Sequence, residues 1–363
     1  MKVLLVADEF FSWGVYGGFG AFTRKLGREL VNYGVEVEAY IHKVSAEQKP
    51  VGQTEWIDGV AVKTLPRGNF AKLRHGELYT TNADLIHSQC GRLDTFLTFR
   101  RNTHLPQIVT VQDFRTKKDL EAIGEAEKKS FPRRVWASIV KNLYGNALRE
   151  ASVVACQARL LEPKLRETFR LKREIRFLPN FVDLPNEKIC KSDAPTVVWL
   201  GRLDPIKRPE LCFEVAKKTP RVEFYILGRS HIESENRRLK QAYRKVENLH
   251  FMGFQTGQAK AEILKKAWVL INTSIYECLP ISFLEAMSYE CALLSTQNPD
   301  DYTNMFGIHV EPTVQSLTSG LSLLLMNDTW RGLGEKGHEH ILRVHSTEKG
   351  VKAHMKLYKE LID

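Results

Sequence analysis

Two glutamates in the stretch YECLPISFLEAM, residues 276–287, are separated by seven residues and flank a mostly apolar run in a basic chain. The preceding run VLINTS predicts a strand that ends at Ser274. Pro280 is tolerated in the first turn of a helix and poorly beyond it, so we expect the following helix to begin near residues 279–281. Glu277 then lies in the loop, and Glu285 lies in the second turn of the helix.

This geometry predicts an anion site between the two carboxylates. The N–H groups of Ile281, Ser282 and Phe283 have no partner within the helix, and the helix dipole favours negative charge there. A nucleotide-diphosphate-sugar has a phosphate centre with hydroxyl-rich groups on both sides, and it would use the anion site and both acids. A second interpretation stays open, in which Glu285 only complements the helix dipole and Glu277 is an ordinary loop acid.

Two cations occur in another strand-to-helix turn, within WLGRLDPIKRPELCFEVA at 199–216. Gly201 ends the predicted strand and Pro209 suits the first position of a helix, which leaves Arg202 and Lys207 in the loop. A guanidinium fork and an ammonium point charge can together neutralise a diphosphate. The alternative is a pair of solvated loop cations.

A third loop contains two adjacent glycines, within YGGFGAFTRKLGREL at 16–30. Gly17 and Gly18 would let the backbone approach a ligand closely before the helix begins. The spacing differs from the G-x-G-x-x-G dinucleotide fingerprint. A flexible turn is the alternative interpretation.

The elements that must position these residues alternate between short apolar runs and longer amphipathic stretches. Strands are predicted at 2–8, 35–41, 83–89, 107–113, 152–157 and 175–180, and then at 196–201, 222–228, 249–253, 269–274 and 291–296. Several are near-continuous apolar runs, which are typical of parallel strands buried on both faces. The pattern predicts an α/β fold with doubly wound parallel sheets.

The alternation restarts at residue 196, after a loop-rich stretch at 178–195. We predict a Rossmann-like domain over 1–184, a second over 185–345, and a C-terminal helix over 346–363 that packs on the first domain. Ligands of such sheets bind outside the carboxyl ends of the strands, where the three motifs are expected.

Charge and cysteine content narrow the expected partners and compartment. The net charge is +10, of which +8 falls in residues 1–184 and +2 in residues 185–363. The first domain is therefore expected to meet an anionic partner or surface, with plain solubility as the alternative. The six cysteines have no C-x-x-C spacing, and the apolar start ends at Asp8, too early for a signal peptide. We expect reduced thiols and a cytoplasmic protein.

Together the motifs resemble those of the retaining GT-B glycosyltransferases, in particular glycosyltransferase family 4, also described as glycosyl transferases group 1. The matching stretches are YGGFGAFTRKLGREL, ADLIHSQ, IRFLPNFVD, GRLDPIKRPEL, VEFYILG and SIYECLPISFLEAMS, in family order. The resemblance implies two Rossmann-like domains that face a cleft. It also implies transfer of a sugar from a nucleotide-diphosphate donor, expected to be a UDP- or GDP-sugar, with retention at the anomeric carbon.

The resemblance further implies roles for individual residues. Arg202 and Lys207 would bind the donor diphosphate and stabilise its departure. Glu285 would hold the ribose, and Glu277 would contact the donor sugar near its anomeric centre. Further donor contacts are implied for Gly17, Gly18, Gly228, Gly253, Phe254, Leu279, Pro280, Ile281 and Ser282. The family needs no metal and the chain has no Asp-x-Asp motif, so no cofactor is expected.

The chain departs from the family pattern in three places. Many relatives have a histidine that meets the donor sugar after the strand read here as 107–113, whereas this chain has Gln112 and then Asp113. Glutamine can bind a sugar hydroxyl but does not titrate. Phe181 replaces a linker glycine, and STQNPDDYTN at 295–304 replaces a glycine-rich segment.

The acceptor is expected to be a sugar, glycan or lipid-linked molecule. Basic stretches lie at 67–76, 99–104 and 127–145. In the last, Phe131, Trp136, Ile139, Leu143 and Tyr144 interleave with Lys128, Lys129, Arg133, Arg134 and Lys141. Such a helix can lie on an anionic membrane, which predicts peripheral contact at the inner membrane face. A helix packed on its own domain is the alternative.

Other functions remain open at this point. A sugar-nucleotide epimerase could share the architecture, but the glutamate pair and GRLDPIKRPE argue against it. A non-catalytic sugar-nucleotide-binding or scaffold protein is favoured by Gln112. Nucleic acid is not an expected partner, because no recognition motif with stacking aromatics accompanies the basic charge.

Overall fold

The computed structural model describes residues 1–10, 17–89, 91–124 and 131–363, without the side chains of residues 131–134. These residues form two compact units. The first unit comprises Met1–Asn180 together with Glu348–Asp363, and the second comprises Phe181–Thr347. Among the helices of these ranges, none is both long and apolar enough to cross a membrane.

A sheet forms the centre of the first unit. Its strands are β1 Lys2–Ala7, β2 Glu36–His42, β3 Thr54–Ile57, β4 Val60–Leu65, β5 Leu85–Ser88, β6 Gln107–Val111, β7 Val153–Cys156 and β8 Ile175–Phe177. Their order is β3-β4-β2-β1-β5-β6-β7-β8, and β3–β4 is the antiparallel pair. The other neighbours are parallel, as the apolar runs predict.

The strands β3 and β4 are absent from the sequence-based prediction. They form a hairpin whose turn is Asp58-Gly59, with φ of 51° and 78°. Positive φ at both turn residues is typical of a two-residue hairpin, and Asp-Gly is one of its strongest sequence signals. β3 is half exposed and short of apolar residues, which is why periodicity alone missed it.

Helices cover the sheet of the first unit. They are α1 Gly18–Asn32, α2 Asn69–Arg74, α3 Leu93–Arg101, α4 Lys117–Ala122, α5 Phe131–Glu150 and α6 Leu161–Phe169. In α1 the predicted apolar stripe is buried at Phe22, Leu26 and Leu30. Gly34 follows with φ of 80°, a conformation that ends the helix at low cost for glycine.

The second unit has a fully parallel sheet. Its strands are β9 Thr196–Leu200, β10 Glu223–Leu227, β11 Leu249–Gly253, β12 Val269–Asn272, β13 Ala292–Ser295 and β14 Gly307–His309, in the order β11-β10-β9-β12-β13-β14. The helices are α7 Pro209–Lys218, α8 Glu233–Ala242, α9 Gly257–Lys266, α10 Ile281–Ser288, α11 Tyr302–Phe306, α12 Val314–Leu325 and α13 Thr329–His340. Trp199, Phe213, Phe224 and Trp330 are fully buried in its core.

The last helix, α14 Thr347–Ile362, belongs almost entirely to the first unit. Tyr358 on α14 and Thr110 on β6 lie within hydrogen-bond distance of the two ring nitrogens of His87, at 2.7 Å and 2.8 Å. His354 lies beside them and bonds to the carbonyl of Gly350. These buried polar groups anchor the end of the chain to the sheet.

The buried histidines should make the first unit sensitive to acid. Burial lowers the pKa of His354 to about 4, and burial with the neighbouring His354 holds the pKa of His87 well below its ordinary value. Both rings take up protons more readily in the unfolded chain. The contribution of these histidines to the free energy of unfolding is therefore fully present above about pH 6.5, and it is lost as the pH falls from there toward about 4.

We expect His354→Gln to reduce this loss, because His354 alone accounts for about 3 kcal/mol of it. Calorimetric unfolding at several pH values between 7 and 4 measures the effect. The matched control is His75→Gln, which changes a largely exposed ring and should keep the wild-type pH dependence. Equal pH profiles for His354→Gln and wild type would contradict the assignment.

Candidate functional site

The loops that follow β9 and β12 adjoin each other at the carboxyl edge of the second sheet. β9 and β12 are paired neighbours, although β10 and β11 come between them in the chain. Such a reversal of strand order is the point where doubly wound sheets bind ligands. The loop after β9 contains Arg202 and Lys207, and the loop after β12 contains Glu277.

The helix α10 begins where the proline predicted it. Pro280 is its N-cap residue and Ile281 its first residue, so Glu277 lies in the loop and Glu285 in the second turn. One detail of the predicted anion site is wrong. The N–H of Phe283 donates to the carbonyl of Pro280 at 3.0 Å, because the first turn is tight, and that N–H is already used.

Glu277 is held by three donors on one carboxylate oxygen. Lys207 Nζ lies 2.5 Å from Glu277 Oε1, Ser274 Oγ donates to it at 2.6 Å, and Asn272 Nδ2 donates at 3.2 Å. Only 9% of the Glu277 side chain is exposed. In the described part of the chain these contacts all use Oε1, which leaves Oε2 available to a ligand.

The two loop cations have different partners. Lys207 pairs with Glu277, whereas Arg202 Nε lies 3.2 Å from Asp204 Oδ2 in its own loop. Half of the Arg202 side chain is exposed, which leaves the guanidinium able to turn toward an incoming anion. The structure thus places Lys207 directly against a site acid and Arg202 at the exposed side of the same loop.

A residue that the sequence analysis passed over, Arg208, fastens the two loops together. Its guanidinium donates to the carbonyls of Thr273 and Ser274 and to Thr296 Oγ1, at 2.8–3.1 Å. Its backbone has a φ of 44° and caps α7. Burial lowers the pKa of Arg208. The hydroxyl of Thr273 donates a hydrogen bond to the carbonyl of Lys207 at 2.7 Å, which fixes the backbone of Lys207.

Replacing Arg208 by alanine should destabilise the second unit by about 2–3 kcal/mol, because charged donors to otherwise buried carbonyls are lost. The same change should also release the loop that holds Lys207. Denaturant unfolding checks the stability. Arg221→Ala, at an exposed position, is the control and should change stability by less than about 0.5 kcal/mol. Unchanged stability of the Arg208 variant would refute the role.

Glu285 forms an ion pair with Lys260 of α9, through Oε1. Both side chains are about one-quarter exposed. Lys260 was not among the predicted site residues, since its helix shows no feature other than amphipathic spacing. The pair leaves the second carboxylate oxygen of Glu285 with no hydrogen-bond partner among the described residues.

Three of the implied donor contacts lie at the ends of β10 and β11: Gly228 follows β10, Gly253 ends β11, and Phe254 comes next. Gly228 has a φ of 149°, and a Cβ there would lie 1.7 Å from the carbonyl oxygen of Gly201. The N–H of Gly228 donates to the carbonyl of Gly253 at 2.7 Å, so the three loops pack closely. Phe254 is 41% exposed, and the Arg229 guanidinium lies 5.8 Å from the centre of its ring.

The remaining predicted residues of the second unit lie around the start of α10. Leu279 is buried at 3% exposure, while Pro280, Ile281 and Ser282 are partly exposed. Leu279 therefore supports the loop from inside.

The segment at 295–304 joins this site. Ser295 Oγ donates to Asn272 Oδ1, and the amide oxygen of Asn298 accepts the N–H groups of Thr303 and Asn304. Polar side chains thus hold this turn, where the resemblance implied a glycine-rich segment. Hydrogen bonds from Asn298 and Asn304 lower the pKa of Asp301.

Four predicted residues lie in the first unit. Gly17 precedes α1 and Gly18 begins it, and a Cβ at Gly17 would meet the carboxylate of Glu9. Gln112 is 6% exposed, and its Oε1 accepts from Asn180 Nδ2 at 2.9 Å. Its Nε2 donor has no hydrogen-bond partner in the described ranges. Asp113 pairs with Arg115 at 3.4 Å.

Asn272, Ser274, Arg208 and Lys260 are the site residues that the sequence reading missed. A signal existed for the first two, because polar side chains at the end of an apolar strand point to the ligand edge of a parallel sheet. Arg208 and Lys260 resemble many surface cations in the sequence, and only their contacts distinguish them.

Comparisons with known proteins fit this geometry. Residues 183–332 match the family model described as Glycosyl transferases group 1. A comparison with curated proteins gives no sequence match.

Several solved structures are similar over almost the whole chain. A sucrose-phosphate synthase from Thermosynechococcus elongatus has a TM-score of 0.80 at 19% identity, over 99% of each chain. Anabaena Alr3699/HepE in complex with UDP-glucose has a TM-score of 0.73 at 12% identity, over 99% of this chain and 100% of that one. WaaG, a glycosyltransferase involved in lipopolysaccharide biosynthesis, has a TM-score of 0.68 at 14% identity, over 97% and 98%.

Proposed function

We propose that this chain, which has the GT-B fold and matches the glycosyl transferases group 1 model over residues 183–332, is a retaining glycosyltransferase. It would move a sugar from a nucleotide-diphosphate donor, a UDP- or GDP-sugar, to a glycan or lipid-linked acceptor. The observation that carries the proposal is the Lys207–Glu277 contact at the strand-order reversal of the second sheet.

The Lys207–Glu277 pair is suited to a donor in which a diphosphate adjoins a sugar. Lys207 supplies an ammonium for the phosphate oxygens, and the second oxygen of Glu277 accepts from a sugar hydroxyl. Because Ser274 and Asn272 also bind Oε1, the carboxylate keeps its position when Lys207 turns toward the phosphates. The bond between the sugar and the diphosphate would therefore lie between the Glu277 carboxylate, which is fixed, and the Lys207 ammonium, which can move.

Catalysis would follow from stabilising the leaving group. As the bond between the anomeric carbon and the diphosphate breaks, positive charge develops on the sugar ring and negative charge on the departing phosphate. Arg202 and Lys207 stabilise the phosphate charge, and this interaction is stronger in the transition state than in the ground state. These two cations supply the charge for which other enzymes use a divalent ion, so we propose a metal-independent reaction.

The rest of the donor would lie along the same edge of the sheet. We assign the ribose hydroxyls to Glu285, whose pairing with Lys260 holds the carboxylate in place. We assign the base to the exposed ring of Phe254 beside Gly228 and Gly253. Gln112 would contact the donor sugar through its Nε2, which is buried and has no partner among the described residues.

The acceptor side of the proposal concerns the start of α5. Val135, Trp136 and Ile139 are 37–45% exposed, while Tyr144, Ala147 and Leu148 are buried. The helix thus packs on its own unit with one half and exposes apolar groups with the other. The predicted Lys128 and Lys129 lie outside the described residues, as do the side chains of Phe131, Arg133 and Arg134.

A cavity of about 700 Å³ opens beside this helix. It is lined by Phe114, Trp136, Tyr144 and Phe169, with Lys141 as a cation, Asp113 as an acid, and Arg92, which pairs with Asp8. Aromatic walls beside the Lys141 ammonium suit an amphiphilic anion, which supports a lipid-linked acceptor and contact with an anionic membrane. We predict that the protein lies in the cytoplasm, at the inner face of the membrane.

Sedimentation with vesicles that contain anionic lipid tests the membrane contact. We expect binding at low salt that weakens at high salt, and about tenfold weaker binding for the double variant Trp136→Ser, Ile139→Ser. Leu323→Ser, at another exposed apolar position, is the control. Absence of binding at low salt would rule this contact out.

A panel of nucleotide-sugars tests the donor site. UDP-glucose, UDP-galactose, UDP-N-acetylglucosamine, GDP-mannose and ADP-glucose are compared with the bare nucleotides by thermal denaturation and by slow hydrolysis. A donor at 100 times its Kd should stabilise the protein by about 2.7 kcal/mol. In Glu277→Ala the preference for the nucleotide-sugar over the nucleotide should disappear. If no compound stabilises the wild type, the donor site is wrongly assigned.

A non-catalytic sugar-nucleotide-binding protein is the second candidate. It is favoured by Gln112, which cannot exchange a proton with the donor sugar. The same panel separates the two, because a binding protein would be stabilised by a nucleotide-sugar without hydrolysing it or transferring its sugar to any acceptor.

A further inference from the structure

The first sheet has its own reversal of strand order at β1, which lies between β2 and β5. Asp8 follows β1 directly, His42 is the last residue of β2, and Gln89 follows β5. Because these strands are parallel, their carboxyl ends meet at one edge of the sheet. Nothing in the proposed donor site uses these three side chains.

Charged groups from α2 and α3 complete this cluster. Asp94 of α3 bonds to Lys72 of α2 and accepts from the hydroxyl of Tyr79 at 2.8 Å. Arg92 Nε lies 3.2 Å from Asp8 Oδ2. One ligand atom from each of Asp8, His42 and Asp94 lies within 4.8 Å of the others, so the three side chains converge on one point.

Two buried polar atoms at this edge have no hydrogen-bond partner within the described ranges. They are Nδ1 of His42, which lies 3.9 Å from Asp8 Oδ1, and Nε2 of Gln89. Each residue is 9% exposed. The other amide atom of Gln89 is tied to Thr23 at 3.2 Å, which fixes the direction of the side chain. A buried polar group without a partner costs about 1–3 kcal/mol, so a ligand that supplied partners would recover that energy.

The charges decide what kind of ligand fits. The carboxylates of Asp8 and Asp94 are balanced by Arg92 and Lys72, and burial together with Lys72 lowers the pKa of His42, which disfavours a charged ring. No cation is left over for a phosphate. A divalent metal would have to displace Lys72 and Tyr79 from Asp94. Hydroxyl groups need no additional cation and displace neither Lys72 nor Tyr79. A hydroxyl group can donate to a carboxylate and can also accept from an amide or imidazole N–H.

We propose that Asp8, His42, Gln89 and Asp94 form a subsite for the hydroxyl groups of an uncharged sugar. This role rests on the proposed function. The bound sugar is the unit of the acceptor to which the donor's sugar is transferred. Any anionic or lipid part of that molecule lies outside this subsite. The carboxylates accept from adjacent hydroxyls, Gln89 donates to one, and His42 bonds to another.

The test follows the imidazole of His42 by NMR in the full chain labelled at histidine Cε1. The signal is identified by its loss in His42→Gln. The protein is titrated with glucose, galactose and myo-inositol, with glucose 6-phosphate, and with Mg²⁺ and Zn²⁺ alone. We expect a saturable shift of the His42 signal with an uncharged sugar, while the signals of the buried His87 and His354 stay in place.

Two variants test whether Gln89 takes part in sugar binding. Gln89→Ala should weaken sugar binding about fivefold to tenfold, as expected for one hydrogen bond. Gln53→Ala, at an exposed position of the same unit, should leave it unchanged. Three outcomes would overturn the subsite: no shift with any sugar, a shift with the phosphate ester alone, or a shift with a metal ion alone.

Donor hydrolysis in the same preparations separates this proposal from the previous one. Hydrolysis of a nucleotide-sugar without a His42 response to sugars refutes the subsite and leaves the donor site standing. A His42 response without donor binding refutes the proposed transferase function and leaves a sugar-binding site.

Discussion

Replacing Lys207 by alanine should lower the rate at which the donor is hydrolysed or its sugar transferred by about 10²–10³-fold, which is the usual cost of losing one group that stabilises a developing charge. The affinity for the intact donor should fall far less, since the charge on the leaving phosphate is largest in the transition state. Single-turnover hydrolysis of the nucleotide-sugar that stabilises the wild type measures the rate, and thermal shifts measure the affinity.

The control for this variant is Lys336→Ala, which removes an exposed ammonium from α13 of the same unit. It should leave both quantities unchanged. Lys207→Arg should restore only part of the rate, because the guanidinium is planar and larger than the ammonium that fits beside Glu277. A Lys207→Ala variant that binds more weakly but turns over at the wild-type rate would mean that Lys207 binds donor without assisting catalysis.

Replacing Gly228 by alanine should destabilise the second unit by at least about 3 kcal/mol. The residue has a φ of 149°, and the added Cβ would lie 1.7 Å from the carbonyl oxygen of Gly201. Backbone strain in such a region costs about 1–3 kcal/mol, and the collision adds to it. For a domain of this size the midpoint of thermal unfolding should drop by about 6–12 °C.

Gly257→Ala is the matched control, because its φ of 53° is also positive while nothing lies within 4 Å of its Cβ position. It should cost only about 1 kcal/mol. Calorimetry of both variants measures the difference. If the two variants unfold at the same temperature, the close approach of Gly228 to Gly201 does not limit the stability of this unit.

Much of the architecture could be predicted because it depends on local patterns. Apolar runs of strand length placed β1 and β9 to within one or two residues, and the proline before Ile281 placed the start of α10. The GT-B fold predicted from the motifs is confirmed by solved structures that are similar over almost the entire chain. Retention, membership of glycosyltransferase family 4 and the acceptor stay predictions.

Local patterns failed where burial is incomplete or the element is short. The hairpin of β3 and β4 has few apolar residues on its outer strand, and β14 has three residues in all. Similarly, the sequence presented Phe283 as a free donor, whereas the tight first turn of α10 uses that N–H within the helix.

The sequence by itself determined which loop each acid and cation belongs to, because strand ends, prolines and glycines act over a few residues. Only the tertiary structure decided which of them meet. Lys207 and Glu277 are 70 positions apart, and they touch because β9 pairs on one side with β12, although β10 and β11 come between the two strands in the chain. In the first unit His42 and Asp94 are also far apart in the chain, and the fold brings their ligand atoms within 4.8 Å of each other. Partners across loops depend on strand order, and strand order is set by long-range packing that no local pattern contains.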